Sequence, residues 1–488
     1  MPIVVSSAVS QVMINRKCDI TAKFYMLKAE SIDSIENKLI HYNTALCNAQ
    51  SQSILLDIFK KRVKIYADLK YFKQCSDNEV WIQEILQDMQ ELTPILNRKY
   101  STESIKKKLR DNSHPHLPNV LNSLSMSDDN KLVTIKPIKS ASLIASEDPF
   151  CGIVAESAFY RRCKNCLKSN NLNLIPCLNC QLAMFCSKDC LNGAKFHHEY
   201  ECEATQIAKV PFNFGGIQVG LRSCFEILSH FNGSVQDMID FVRNCKMSTK
   251  TIFEIDPTLP ANIEKHAVMI SLKHFSTYDC YDELTQTIKK VLPIYPKIVE
   301  LFATESQIEF LIDFLVMQSS LDFIVHYDHL LGVPTALSVN FIYNFMDHSC
   351  ASNIFSILID GQLHYFTKYP LKKGDTLFYN HIFNFEESSY DIRKLTARKC
   401  YEYDCKCVAC LNQYPLFNGM KVYQQHVLEN AGNQIENMNK MNKKDLKLLL
   451  KANQKYIDSF YPSRYPSQEI YMLYVSNSQI LSKLMTEI

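Results

Sequence analysis

The sequence predicts an α+β protein whose two ends are helical and whose centre carries short strands around a dense cysteine cluster. Three observations predict it. Apolar residues recur at three- and four-residue steps near both ends, the period of amphipathic helices. Alternating, β-branched stretches mark residues 131–138 and 353–384 as strands. Between them, eight cysteine and histidine residues fall in four regularly spaced pairs within residues 163–202.

Residues 20–110 are rich in Lys, Leu, Ile, Glu, Gln and Tyr, contain no Gly, and have Pro94 as their one proline. Leu55, Ile58, Phe59, Val63 and Tyr66 trace one helical face. The stretches 42–47 and 67–75 look like degenerate tetratricopeptide helices. Residues 111–130 are polar, carry two prolines and read as a linker. Lys131 to Ile138 alternate as a strand, with a second strand expected around 142–145. Residues 204–345 read as mostly helical. Strand character returns at 354–359, followed by a turn at Asp360-Gly361 and a partner strand at 363–366. Residues 420–488 are helical again.

A chain of 488 residues exceeds one compact core, so two to four domains are expected. The formal net charge of +2 argues against a general nucleic-acid or anionic-membrane binder. No apolar run reaches the roughly 18 residues needed to span a bilayer. The first residues lack a basic start and a full apolar core, so no secretory signal is expected. Nineteen cysteines then point to a reducing compartment, the cytoplasm or the nucleus, where clustered thiols bind metal rather than form disulfides.

The clustered pairs are Cys163-x2-Cys166, Cys177-x2-Cys180, Cys186-x3-Cys190 and His198-x3-Cys202. Zinc takes four sulfur or nitrogen ligands tetrahedrally, so eight ligands imply two ions. Residues 187–202 read as helix, which places each x3 pair one turn apart on one face. Cys190 and His198 are then roughly 12 Å apart along a straight helix, too far to share an ion. Cys186 and Cys190 therefore serve one zinc, and His198 and Cys202 the other. An interleaved arrangement would join Cys163 and Cys166 to the first, and Cys177 and Cys180 to the second. His197 is out of register with these ligands and is expected at the surface.

This stretch resembles the MYND zinc finger, with Lys195 standing where that family usually has an aromatic residue. Two further pieces extend the resemblance. Asp347-His348-Ser349-Cys350 is similar to the Asn-His-Ser-Cys signature of SET-domain methyltransferases, and Tyr401-x-Tyr403-x-Cys405-x-Cys407-x2-Cys410 is similar to their post-SET zinc motif. Cys405, Cys407 and Cys410 supply three thiolates, and the family implies Cys350 as the fourth. A MYND finger inserted in a SET domain resembles the SET-and-MYND (SMYD) family, in the branch with tetratricopeptide-like helices.

That resemblance implies a SET β-fold split by the finger and flanked by helical domains. It divides the chain into a helical tetratricopeptide-like domain at 1–112, a linker at 113–130, the first part of the SET domain at 131–162, and the finger at 163–202. A helical insertion and SET core follow at 203–404, a post-SET zinc segment at 405–419, and a C-terminal helical domain at 420–488. It implies three zinc ions, S-adenosylmethionine as cofactor, and protein lysines as acceptors. Such a reaction needs positioning and electrostatics more than acid–base chemistry.

The candidate site departs from the family. The Gly-x-Gly loop that should contact the cofactor falls on Asp129-Asn130-Lys131, and no glycine precedes Gly152. Cofactor-contacting asparagines fall on Asp347 and Ser320, with His348 and Tyr403 completing the expected cofactor contacts. The catalytic tyrosine, seven residues after the glycine matched by Gly374, falls on His381, with Tyr379 two residues earlier on the same strand face. Tyr401 matches a second tyrosine of the lysine channel. Four departures in one site lead to the expectation of weak or absent methyl transfer and of protein or peptide binding as the main role. The alternative is an active protein-lysine methyltransferase acting on histone or non-histone lysines. A monomer without membrane partners is expected; nucleic-acid binding by the finger is not expected, since Arg161, Arg162, Lys164 and Lys168 are offset by Asp189, Glu199, Glu201 and Glu203.

Overall fold

The N-terminal segment is helical, as its apolar spacing predicted. Ser34 accepts a hydrogen bond from the Asn37 amide and caps Ile35–Asn48, which pairs with Asp19–Glu30 and is followed by Gln52–Asp68. In the computed structural model the described residues are 17–69, 78, 112–115, 117, 119–169, 174–207, 215–246, 251–255, 261–272, 281–319, 321–327, 333–359, 361–381, 383–401 and 404–486. The chain forms two compact units. One comprises Met1–Lys99, Cys151–Arg243 and Cys280–Val339, and the other Tyr100–Phe150, Asn244–Asp279 and Asn340–Ile488. It is a mixed α+β structure with small, mainly antiparallel sheets and helical segments at both ends. No described helix is long and apolar enough to cross a membrane.

In the first unit the N-terminal helices share a core with the cysteine cluster. Ala22, Met26, Leu46, Cys47, Ile58 and Phe59 pack in one apolar group with Leu174, Ile175, Met184 and Phe185. Asn43 Nδ2 donates to the Tyr160 carbonyl at 2.9 Å, and the fully buried Arg62 donates from Nη1 to the Leu174 carbonyl at 2.8 Å. Buried polar groups need such partners, so these bonds help set how the helices seat. Of the two tetratricopeptide-like stretches, 42–47 lies within Ile35–Asn48, whereas 67–75 starts at the end of Gln52–Asp68 and lies outside the described residues from position 70 onward.

The same unit holds a three-stranded antiparallel sheet in the order Cys151–Val154, Pro334–Val339, Phe323–Tyr327. The described residues of 204–345 are mostly helical, as the sequence suggested, and the last two of these strands are the exception within that stretch. Their central partner pairs with a strand some 180 positions away, a constraint that a local period cannot register. Gly152 is required there. A Cβ would lie 2.6 Å from both the Leu337 carbonyl oxygen and Leu167 Cδ1.

The second unit is built on the antiparallel sheet Ile354–Ile359, Gln362–Thr367, Leu143–Glu147, where the alternation predicted it. The helix Gln468–Thr486 covers this sheet, placing Leu481 and Met485 against Phe355, Ile357 and Phe366. With Gln425–Asn437 and Lys443–Phe460 it completes the helical C-terminal segment. A hairpin of Leu124–Met126 and Leu132–Thr134 joins residues 371–377 through backbone bonds such as Leu377 N–H to the Leu132 carbonyl, 2.8 Å. Gly374 turns that return chain at φ +90°, a conformation that favours glycine. Phe378–Tyr379 then pairs in parallel with Asp347–His348, so that residues 131, 347 and 379 come to one region from three separate parts of the chain.

Candidate functional site

The twelve predicted metal ligands assemble as three tetrads. Cys163, Cys166, Cys186 and Cys190 form the first, Cys177, Cys180, His198 and Cys202 the second, and Cys350, Cys405, Cys407 and Cys410 the third, with the ligand atoms of each within 4.8 Å of one another. The finger is therefore interleaved. Sulfur separations include 3.5 Å for Cys166–Cys186 and Cys186–Cys190, 3.9 Å for Cys177–Cys202 and 3.6 Å for Cys350–Cys410. A tetrahedron with zinc–sulfur bonds of about 2.3 Å has edges of about 3.8 Å, whereas a disulfide bond is about 2.05 Å. All twelve positions fit zinc, and as closed four-ligand sets they fit structural rather than catalytic ions.

Local sequence places the finger ligands. Ser187 Oγ accepts from the Cys190 amide at 3.1 Å and caps Lys188–Gly193, so Cys186 and Cys190 flank one capped turn. The chain continues through Ala194 into Lys195–Ile207, where His198 and Cys202 lie one turn apart. The first knuckle closes with Leu167 at φ +59°, its amide bonded to the Cys163 carbonyl at 3.0 Å. In the second, the Asn179 amide donates to Cys177 Sγ at 3.3 Å. Lys195 is exposed and takes no part in these contacts.

His197 is not at the surface, as its register suggested. It is buried, with Nε2 3.3 Å from Asn165 Oδ1 and Nδ1 3.5 Å from Glu201 Oε2. The reason is a charged network that local pattern does not show. Arg222 donates bidentately to Glu201, with Nε–Oε1 2.8 Å and Nη2–Oε2 2.7 Å, and caps the carbonyls of Lys164 and Gly152 through Nη1. Lys164 Nζ lies 3.5 Å from the same carboxylate. Burial opposes ionisation of Glu201, yet Arg222, Lys164 and His197 hold its carboxyl well below the usual range. The one signal in the sequence was that Arg222 is the only charged residue between Gly215 and Phe225.

The third tetrad has its own donors. Buried Arg393 places Nη2 4.0 Å from Cys410 Sγ. His348 Nδ1 accepts from the His381 amide at 3.2 Å, which leaves the proton on Nε2, 3.6 Å from Cys350 Sγ. Such donors offset the charge of four thiolates on one divalent ion.

Tyr379 and His381 both gather around Tyr343, at ring separations of 4.9 and 4.6 Å. The Tyr379 hydroxyl is 2.7 Å from Ser356 Oγ, and His381 Nε2 is 3.2 Å from the Met346 carbonyl oxygen. Beside them Glu147 accepts from the Tyr365 hydroxyl at 2.5 Å and from the amides of Ile342 and Tyr343 at 2.8 and 3.2 Å. Burial pushes Glu147 up to about 7, against these donors, and pushes Tyr365 well above its ordinary value.

Lys131 Nζ lies 2.7 Å from Asp347 Oδ2 and 3.5 Å from Asp129 Oδ2, and the hydrogen bond to Asp347 raises its pKa. Ser320 and Tyr403 lie outside the described residues. Tyr401 ends the helix Tyr390–Tyr401, and its side chain is likewise outside them.

Comparison with protein families matches residues 163–202 to the MYND finger. No curated protein matches the chain. The match and the interleaved ligand sets together define a MYND zinc-finger protein.

Proposed function

We propose that this chain is a divergent relative of the SET-and-MYND proteins that works as a zinc-organised protein-interaction adaptor, with lysine methyl transfer weakened or lost. The observation that carries the reading is the third tetrad. Cys350, in the segment similar to the SET signature, meets Cys405, Cys407 and Cys410 of the segment similar to the post-SET motif, some 55 to 60 positions away. A MYND finger alone does not call for that site. The zinc-binding positions are intact, while positions aligned with cofactor and lysine contacts carry Asp129, Lys131, Asp347, Ser320 and His381.

The test is direct. Purified full-length protein is titrated calorimetrically with S-adenosylmethionine and incubated with labelled cofactor and protein substrates. No binding at micromolar concentration and no methyl transfer are expected, whereas capture of protein partners should be lost in Cys177→Ser. Micromolar binding together with methyl transfer to a protein lysine sinks the adaptor reading.

A second reading, the active methyltransferase, is favoured by one specific feature. Tyr379 sets a hydroxyl in the aromatic group of Tyr343 and His381, two residues before the position aligned with the family tyrosine. If methyl transfer is observed, Tyr379→Phe should abolish it.

A further inference from the structure

We infer that the surface aligned with the cofactor site is closed by the chain's own ion pair between Lys131 and Asp347, so that this face is filled rather than merely eroded. The inference rests on the SET-like reading above, which makes the 129–131 turn and Asp347 the two sides of that face.

Three sets of contacts carry it. Lys131 reaches across from the hairpin turn to the strand Asp347–His348, with its Nζ 2.7 Å from Asp347 Oδ2. Asp347 Oδ1 is taken as well, accepting from the His348 amide at 2.9 Å. Each carboxylate oxygen then already has a donor, so a ligand ammonium would compete with Lys131 for Asp347, one cation beside another, with little Coulombic gain.

The turn itself is internally satisfied. A glycine loop binds a ligand by bringing bare backbone close to it and presenting free amides. Here the Lys131 amide donates to Ser127 Oγ at 3.1 Å, and the Asn130 amide to the Ser127 carbonyl at 3.0 Å. The Ser127 amide donates to the Lys131 carbonyl at 2.9 Å, and Ser127 Oγ to Asp129 Oδ1 at 2.5 Å. Asn130 keeps a left-handed backbone at φ +59°. The turn thus keeps one glycine-compatible bend while the amides of Asn130 and Lys131 are both spent on Ser127 and its last side chain crosses to the opposite strand. These residues do not fit S-adenosylmethionine, a dication at its sulfonium and ammonium, because the carboxylate that would attract it is already paired with Lys131.

The test compares the wild type with the double variant Lys131→Gly/Asp347→Asn, both checked for unchanged zinc content. Hydrogen exchange is followed with and without millimolar S-adenosylmethionine, and affinity is measured by calorimetry. In the absence of ligand, the double variant should exchange faster at 124–134, because the hairpin has lost its tie to the strand. With ligand it should gain protection at 124–134 and 347–379 and bind roughly tenfold or more tightly than the wild type. Clear protection at these segments that is equal in both proteins, with equal affinity, overturns the closing role of the pair and leaves the SET-like reading standing. No protection at these segments in either protein overturns that reading, and this inference with it.

Discussion

Arg222 and Glu201 form a bidentate ion pair beneath the finger, with both side chains almost wholly removed from solvent. The arginine also holds the carbonyls of Lys164, on the first knuckle, and Gly152, on the sheet. One side chain thus ties the finger, its helix and the strand Cys151–Val154 together. Removing one partner of a buried pair leaves an unpaired charge and costs about 3–5 kcal/mol. Arg222→Met should therefore lower the urea midpoint of the first unit strongly, and Arg222→Met/Glu201→Gln should recover part of the loss. Chemical unfolding followed by zinc release to a coloured chelator checks this; an unchanged midpoint in Arg222→Met refutes it.

Zinc should distribute as the tetrads do. Protein purified without added metal is expected to carry about three ions. Cys407→Ser should reduce this to about two and leave the finger loaded. Cys177→Ser should leave about one, because both finger sites share one small core with interleaved ligands. Elemental analysis distinguishes these values, and a single ion in the wild type refutes the assignment.

Ser187→Ala should weaken the first finger site without touching a ligand. The serine caps the turn between Cys186 and Cys190, and loss of such a cap costs about 1 kcal/mol. Competition with a chelator should show faster loss of one finger zinc, while the third tetrad keeps its metal.

Glu147 should make the stability of the second unit fall as pH rises. Its folded pKa is pushed up to about 7 from an ordinary value of 4.5, so between these values the folded state holds a proton that the unfolded state has released. The contribution is fully present below pH 4.5, declines through the window and is lost above about pH 7. Its size is of the order of 3 kcal/mol at most. In Glu147→Gln this part of the slope should vanish, whatever the variant's absolute stability. Unfolding of both proteins at pH 5, 6 and 7.5 measures the difference, and parallel profiles contradict it.

What the sequence determined by itself was the chemistry with a short-range rule. Spacings of two and three residues define the finger ligands, since turns and helix pitch convert them directly into geometry. The same holds for the strands at 354–359 and 362–367, whose period of two shows in ten residues, and for the helices of both ends. The Cys350 tetrad was legible only through a resemblance, because nothing local joins position 350 to 405. Tertiary structure alone decided the rest. His197 is buried beside the Arg222–Glu201 pair, and Pro334–Val339 is held between Cys151–Val154 and Phe323–Tyr327 as the centre of a sheet. Lys131 and Asp347, read separately as two defects, proved to be partners 216 positions apart. Charges that pair across such distances leave no periodic trace, for their energy depends on where folding brings them and not on what stands beside them in the chain.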